Sequence, residues 1–400
     1  MKPDNTKQND LCKDILPWGT LTGIRPSKVA EKLLIKGESA QSVLEILKQK
    51  YFVLPDRAVL CVETAQAALT FKETLAPRDI ALYVGIPFCP TRCAYCSFVS
   101  NSVERSFNYI EPFTDTLMQE IASLSELVCE LDLRIISVYI GGGTPTALPV
   151  PVLDSVMSAL EQSFDLSALR EYTVEAGRPD TVSAEKLEIM TRYGANRICI
   201  NPQSMSPDVL SAIGRNHSPQ DIYDAAELVR QTGAALSMDV IAGLPSDSLE
   251  GFKETLDCII ELKPENITVH TLSLKKGSRI MLESTAIPDG VTVGKMLDYA
   301  SERLRECGYA PYYVYRQKYI SGGFENTGWS LNGYEGIYNI CMMDELCTVL
   351  ALGGGGVTKL VTTDGRIERI FNAKYPREYI MMTEKMNDKI GSIRENAISV

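Results

Sequence analysis

The chain has 400 residues, of which 45% are hydrophobic and 23% charged, with a formal net charge of −11. A chain of this size and hydrophobicity can bury one large core, and its acidic balance argues against non-specific nucleic-acid binding, which depends on clustered Lys and Arg. No apolar run approaches the roughly 18 to 20 residues that cross a bilayer, the opening MKPDNTKQND reads as no targeting segment, and eleven scattered cysteines do not read as a secreted disulfide framework. The expectation is a soluble protein of the reducing cytoplasm.

Residues 1–78 read as a helical region. RPSKVAEKLLIKG carries a start signal at Pro26 and Ser27, a stop at Gly37, and Val29, Leu33 and Leu34 on one face. SAQSVLEILKQKY and DRAVLCVETAQAALTF repeat the amphipathic pattern. Between 79 and 284 the texture changes to short apolar runs at 81–88, 134–142, 171–177, 196–202, 235–243 and 265–272, separated by helical stretches. Strand and helix in alternation imply parallel strands joined by right-handed crossovers, and burial on both faces explains the near-continuous apolar runs. Six units predict an open (β/α)6 partial barrel. After residue 285 the alternation fails, and an α+β extension runs to 400, with the aromatic segment YAPYYVYRQKY near its start.

In such sheets the chemistry collects at the carboxyl ends of the strands. The first run leads into PFCPTRCAYCSF, with Cys89, Cys93 and Cys96, and the second into GGGTPT. Glu175, Gln203 and Asp239 fall at or just after the ends of the next three, so these polar features share one rim. Three thiols in one loop suit a 4Fe-4S cluster with one iron left without a protein ligand. A structural zinc is the bland alternative, but it wants four ligands, and the only histidines, His217 and His270, lie far away in sequence. GGGTPT reads either as a tight turn, where glycine tolerates positive φ, or as a loop that lets backbone approach a ligand. Residues 312–319, YYVYRQKY, read either as core aromatics or as a substrate wall. LGGGGVTK has no βαβ frame for a dinucleotide, and a close backbone approach to ligand or barrel fits it better.

The CxxxCxxC loop with Tyr95 before its last cysteine, leaving the first strand of a β/α barrel, resembles the signature of the radical S-adenosylmethionine superfamily. The order Y-x-x-x-P-F-C, GGGTPT, Glu175, Gln203, Arg215, Asp239 and GLP is similar to that of the oxygen-independent coproporphyrinogen III oxidases. LPWGTLTGIRPSK, YTVEAGRPDT, PYYVYRQKYISG and ENTGW…EGIYNI resemble their Gram-positive coproporphyrinogen dehydrogenase subgroup, over about residues 16 to 375. The resemblance implies that Cys89, Cys93 and Cys96 bind the cluster, and that Tyr83 lies beside the cofactor as a catalytic candidate. It further implies that Tyr83, Tyr95, Gly142, Gly143, Thr144, Glu175, Gln203, Arg215 and Asp239 contact S-adenosylmethionine, of which some family members hold two molecules.

The implied activity is conversion of two propionates of coproporphyrinogen III to vinyl groups, giving protoporphyrinogen IX. The implied partners are this tetrapyrrole, whose propionates would meet Arg316 and Lys318, and an electron donor such as a flavodoxin or ferredoxin. Two positions depart from the oxidase pattern, with Gly85 in place of a His and Phe98 in place of a further Cys. The rival readings are a haem-binding chaperone of the same branch, which lacks here its H-N-x-x-Y-W signature, and radical chemistry on another substrate.

Overall fold

The computed structural model describes residues 16–23, 25–96, 101–274, 278–283, 285–362 and 366–397; Phe98 lies outside them. Three helices open the chain, α1 (Ser27–Ile35), α2 (Ala40–Lys50) and α3 (Pro55–Lys72). The Ser39 side chain caps α2 by accepting from the Ser42 N–H at 3.1 Å, and Pro55 starts α3, where its missing N–H costs nothing.

Strands β1 (Asp79–Ile86), β2 (Phe88–Cys89) and β3 (Asn101–Ser102) precede the long helix α4 (Val103–Glu130). Then follow β4 (Arg134–Gly142), β5 (Glu171–Glu175), β6 (Arg197–Gln203), β7 (Ala235–Ala242) and β8 (Asn266–Thr271), each separated from the next by helix. The extension supplies β9 (Ala310–Tyr315), β10 (Asn326–Ser330), β11 (Thr348–Gly353), β12 (Val357–Val361) and β13 (Ile367–Phe371). Strands β2 and β3 pair with each other, and the remaining eleven form one sheet in the order β13-β12-β11-β1-β4-β5-β6-β7-β8-β10-β9.

The six expected runs are the parallel centre of that sheet. Alternate residues such as Val138, Ile140, Val174, Ile198 and Met238 share one core with helical Leu153, Val156 and Met157, and β6 is buried at every position, as the both-face burial of a crossover architecture demands. The sheet stays open, with β13 and β9 at its edges. It also runs through the expected change of texture at 285: β11 pairs parallel to β1, and β10 pairs antiparallel to β8. The extension therefore adds strands to both sides of the core sheet, a placement that the loss of alternation does not reveal.

One extension helix, Ile337–Asp344, reaches the inner face of the sheet. Glu171 at the start of β5 accepts from the N–H groups of Ile337 and Tyr338 at 2.7 and 2.9 Å, satisfying two of the helix's orphan donors with a carboxylate suited to its positive end. Tyr338 then stacks on Tyr139 of β4, with ring centroids 4.3 Å apart, and on Tyr83 of β1 at 5.7 Å. The N-terminal region packs against the extension: Trp18 donates to Glu325 at 2.8 Å, Arg57 bonds Glu325 at 3.1 Å, and Ser27 donates to Asp344 at 3.1 Å. No helix among the described residues is long and apolar enough to cross a membrane.

Candidate active site

The cysteine loop leaves β1 and is fixed at several points. Phe88 is fully buried and meets Phe113 of α4 edge to face, with centroids 5.2 Å apart. The Ala94 N–H donates to the Ile213 carbonyl at 2.9 Å, and the Ala94 carbonyl accepts from Ile280 at 3.3 Å. A tight turn brings the Cys96 N–H to the Cys93 carbonyl at 3.2 Å. All three cysteines are partly buried and none is in a disulfide.

The glycine turn after β4 lies directly on this loop. Gly143 N–H donates to the Ile86 carbonyl and Thr144 N–H to the Phe88 carbonyl, both at 2.7 Å, and the Thr144 hydroxyl lies 3.5 Å from Cys89 Sγ. A Cβ on Gly143 would sit 2.4 Å from the Phe88 carbonyl oxygen. Close approach of two loops is thus a sufficient reason for glycine there, whatever a ligand would add. Gly142 has φ +104°, and its Cα faces the Tyr83 hydroxyl closely enough that a Cβ would lie 3.2 Å from it.

Arg215, 7% exposed, gathers the opposite wall. It donates to the Tyr95 hydroxyl at 3.1 Å, to the Gly177 carbonyl at 3.3 Å and to the Asn201 carbonyl. Burial opposes its charge, but the groups beside it, Tyr95 and Cys93 foremost, outweigh burial and hold the guanidinium protonated. Gln203 ends β6 at φ +68° with its Oε1 unpartnered among the described residues.

Glu175 accepts from the Tyr139 hydroxyl, and its carboxyl lies over Gly141, where a Cβ would be 3.1 Å away. Burial pushes it up to about 7, helped by the charge of Asp239 and opposed by the Tyr139 bond and by His270. Asp239 itself lies 3.5 Å from His270 Nε2. The structure therefore brings Tyr83 to the glycine turn, Cys89 to Thr144, Tyr95 to Arg215, and Glu175 toward Asp239.

The two expected substrate cations differ in how they are engaged. Arg316 donates to the carbonyls of Leu21 at 2.6 Å and Gly323 at 3.3 Å, and Lys318 is exposed. The sequence reading left out Arg178, Tyr139 and Tyr338, whereas the close backbone approach expected of LGGGG is made to β1. The Gly354 N–H donates to the Gly85 carbonyl at 2.9 Å, and a Cβ on Gly85 would lie 2.5 Å from the Gly354 carbonyl. The glycine loop of the extension thus occupies the space that a side chain at 85 would need, which accounts for Gly85 where the oxidase pattern has His. For Arg178 a signal existed: an Arg three residues past a strand end, within a quoted motif.

His217 is 4% exposed with both ring nitrogens unpartnered among the described residues. Burial, with Arg215 and Arg178 nearby, pushes it down to about 4 and keeps it neutral.

The donor set suits an iron–sulfur cluster. Three thiols on one loop are flanked by hydroxyl and guanidinium donors to sulfur, the ligand chemistry of such clusters.

Residues 83–259 match the radical SAM superfamily. The chain is 38% identical over 379 residues, 93% of its length and 76% of the relative's, to the oxygen-independent coproporphyrinogen-III oxidase-like protein HemZ of Bacillus subtilis. It is 27% identical over 305 residues, 75% of each chain, to the heme chaperone HemW of Escherichia coli. Its fold matches the structure of coproporphyrinogen III oxidase HemN from Escherichia coli with a TM-score of 0.62, over 86% of this chain and 78% of that one, at 18% identity. Superfamily membership implies a 4Fe-4S cluster and S-adenosylmethionine. The chain belongs to the radical SAM superfamily and, within it, to the family of oxygen-independent coproporphyrinogen III oxidases and their HemZ-type relatives.

Proposed function

We propose that this protein is an oxygen-independent coproporphyrinogen III dehydrogenase, which converts two propionates of its substrate to vinyl groups. Each propionate gives a vinyl group, CO2, one hydrogen atom and one electron. The observation that carries the reading is the likeness to HemZ over 93% of the chain, which includes the extension as well as the sheet common to the superfamily.

In this reading Cys89, Cys93 and Cys96 hold the cluster, which together with S-adenosylmethionine supplies the hydrogen-abstracting radical. Tyr83, Tyr95, Gly142, Gly143 and Thr144 line the cofactor's place beside the cysteine loop. Glu175 and Asp239 accept from its hydroxyl or ammonium groups, Gln203 offers an unpartnered acceptor, and Arg215 both orients Tyr95 and presents a buried cation to a carboxylate. The stacked rings of Tyr83, Tyr139 and Tyr338 fill the inner face below this rim and exclude water from it.

The substrate's anionic tetrapyrrole body would lie above that aromatic floor. With Arg316 engaged by two carbonyls, Lys318 is the cation of its segment left at the surface for a propionate. The likeness to HemW supports a haem-carrier reading as the alternative. That reading needs an axial ligand, and the two histidines offer little: His217 is buried between arginines and His270 faces Asp239.

The test is anaerobic reconstitution with reductant and S-adenosylmethionine, following 5′-deoxyadenosine with and without coproporphyrinogen III. Substrate-dependent vinyl product supports the dehydrogenase. Haem retention without turnover would sink it.

A further inference from the structure

Arg178 stands three residues beyond β5 and is 2% exposed. Its Nε and Nη2 donate to the two oxygens of Asp180 at 3.2 and 3.3 Å. Its Nη1 turns the other way, donating to the Thr91 hydroxyl at 3.0 Å and reaching Cys93 Sγ at 3.8 Å. One guanidinium thus ties the loop after β5 to the middle of the cysteine loop. It also places a positive group against a sulfur that the cluster would use. Its carboxylate partner is more open to water, with 31% of the Asp180 side chain accessible against 3% for Arg178, so the cation is less screened on its sulfur side than on its solvent side.

Electron transfer to a cluster adds one negative charge to a group already held by thiolates. Hydrogen bonds to its sulfurs and nearby cations stabilise that added charge and raise the reduction potential, and burial strengthens both effects. Arg215, the other buried guanidinium near Cys93, also interacts with that sulfur, besides its bonds to Tyr95 and two carbonyls, so the two arginines act on Cys93 together and the variants at 178 and 180 isolate the part of Arg178.

We propose that Arg178 is a positioning residue that sets the reduction potential of the cluster, its N–H contact with Cys93 and its charge favouring the reduced form, with Asp180 as the counterweight that limits the effect. The step concerned is the arrival of one electron from the external reductant, with no bond made or broken. The inference rests on the cluster assignment and is independent of the tetrapyrrole substrate. A wild-type protein that took up no iron and sulfide would remove that assignment before any variant was compared.

The test uses the full chain reconstituted anaerobically, with iron and sulfide counted and the cluster titrated against potential by electron paramagnetic resonance. At a potential near the wild-type midpoint, Arg178→Gln lowers the ratio of reduced to oxidised cluster about tenfold, a shift of about 59 mV for one electron. Arg178→Lys falls between this variant and wild type. Asp180→Asn, which keeps the guanidinium and removes its counterion, raises the ratio severalfold. A merely mechanical brace would change iron content and leave the midpoint in place. Equal midpoints for wild type and Asp180→Asn, or shifts of the same sign in Arg178→Gln and Asp180→Asn, would overturn the proposal. If Arg178→Gln fails to hold a cluster, the sign of the Asp180→Asn shift still decides.

Discussion

Glu175 carries a stability cost and, in the proposed function, a binding role. An ordinary glutamate ionises near 4.5, and burial raises this one to about 7. Between those values the folded chain keeps a proton that the unfolded chain has released, so stability falls as pH rises through that window and the full cost stands above it. Glu175→Gln removes the cost. At pH 8 the apoprotein variant is more stable than wild type by up to about 3 kcal/mol, whereas at pH 4.5 the two unfold alike in parallel thermal scans. The same variant weakens S-adenosylmethionine binding most at pH 8, where the carboxylate is ionised, and isothermal titration across pH 6 to 8 measures this. At the cysteine loop, Cys93→Ala leaves two thiols and should abolish the cluster, read as loss of iron, sulfide and visible absorbance. The cysteines follow β1, and Glu175 and Gln203 are the last residues of β5 and β6, so these were legible from strand ends, and Arg215 from the motif order; Asp239, expected at a strand end, lies within β7, three residues before Ala242. For Arg178 the position just past β5 was readable, but its partners Thr91 and Cys93 lie 87 and 85 residues away and only folding brings them together.

At the level of elements, the close packing of loops on loops sets the tolerances. Gly85 of β1 and Gly353 of β11 face each other in register, and a Cβ on Gly353 would lie 2.3 Å from the Gly85 carbonyl oxygen. Gly85→Ala forces these strands apart at the point where the cysteine loop begins, costing on the order of 2 kcal/mol or more in chemical denaturation. Behind the same loop, Glu120 of α4 accepts from Gly353 N–H at 2.7 Å, Asn372 at 2.9 Å, Lys389 at 2.8 Å and the Tyr379 hydroxyl. Lys389→Met leaves Glu120 without its counterion in a closed site and destabilises the fold by about 3 to 5 kcal/mol, measurable as a lowered denaturation midpoint. Strands were readable where both faces are buried: the run at 134–142 coincides with β4. The partnership of β1 with β11 was not, because nothing local in LALGGGGVTKL names a partner more than 260 residues upstream.

The whole molecule reads as a superfamily sheet extended at both edges and clamped from outside. Strands of the extension flank β1 and β8, the Ile337–Asp344 helix sends Tyr338 into the inner face, and Glu325 is held by Trp18 and Arg57 from the N-terminal region. The extension and the N-terminal region therefore shape the space beneath the site, and the likeness to HemZ spans nearly all of the chain. The direct measurement of the proposed activity is single-turnover analysis of the anaerobically reconstituted full chain with S-adenosylmethionine, reductant and coproporphyrinogen III, scoring 5′-deoxyadenosine and tetrapyrrole products together. The account predicts deoxyadenosine formation that depends on the tetrapyrrole and is matched by vinyl product. Cofactor cleavage indifferent to the tetrapyrrole, or tight haem retention with no vinyl product, would contradict it.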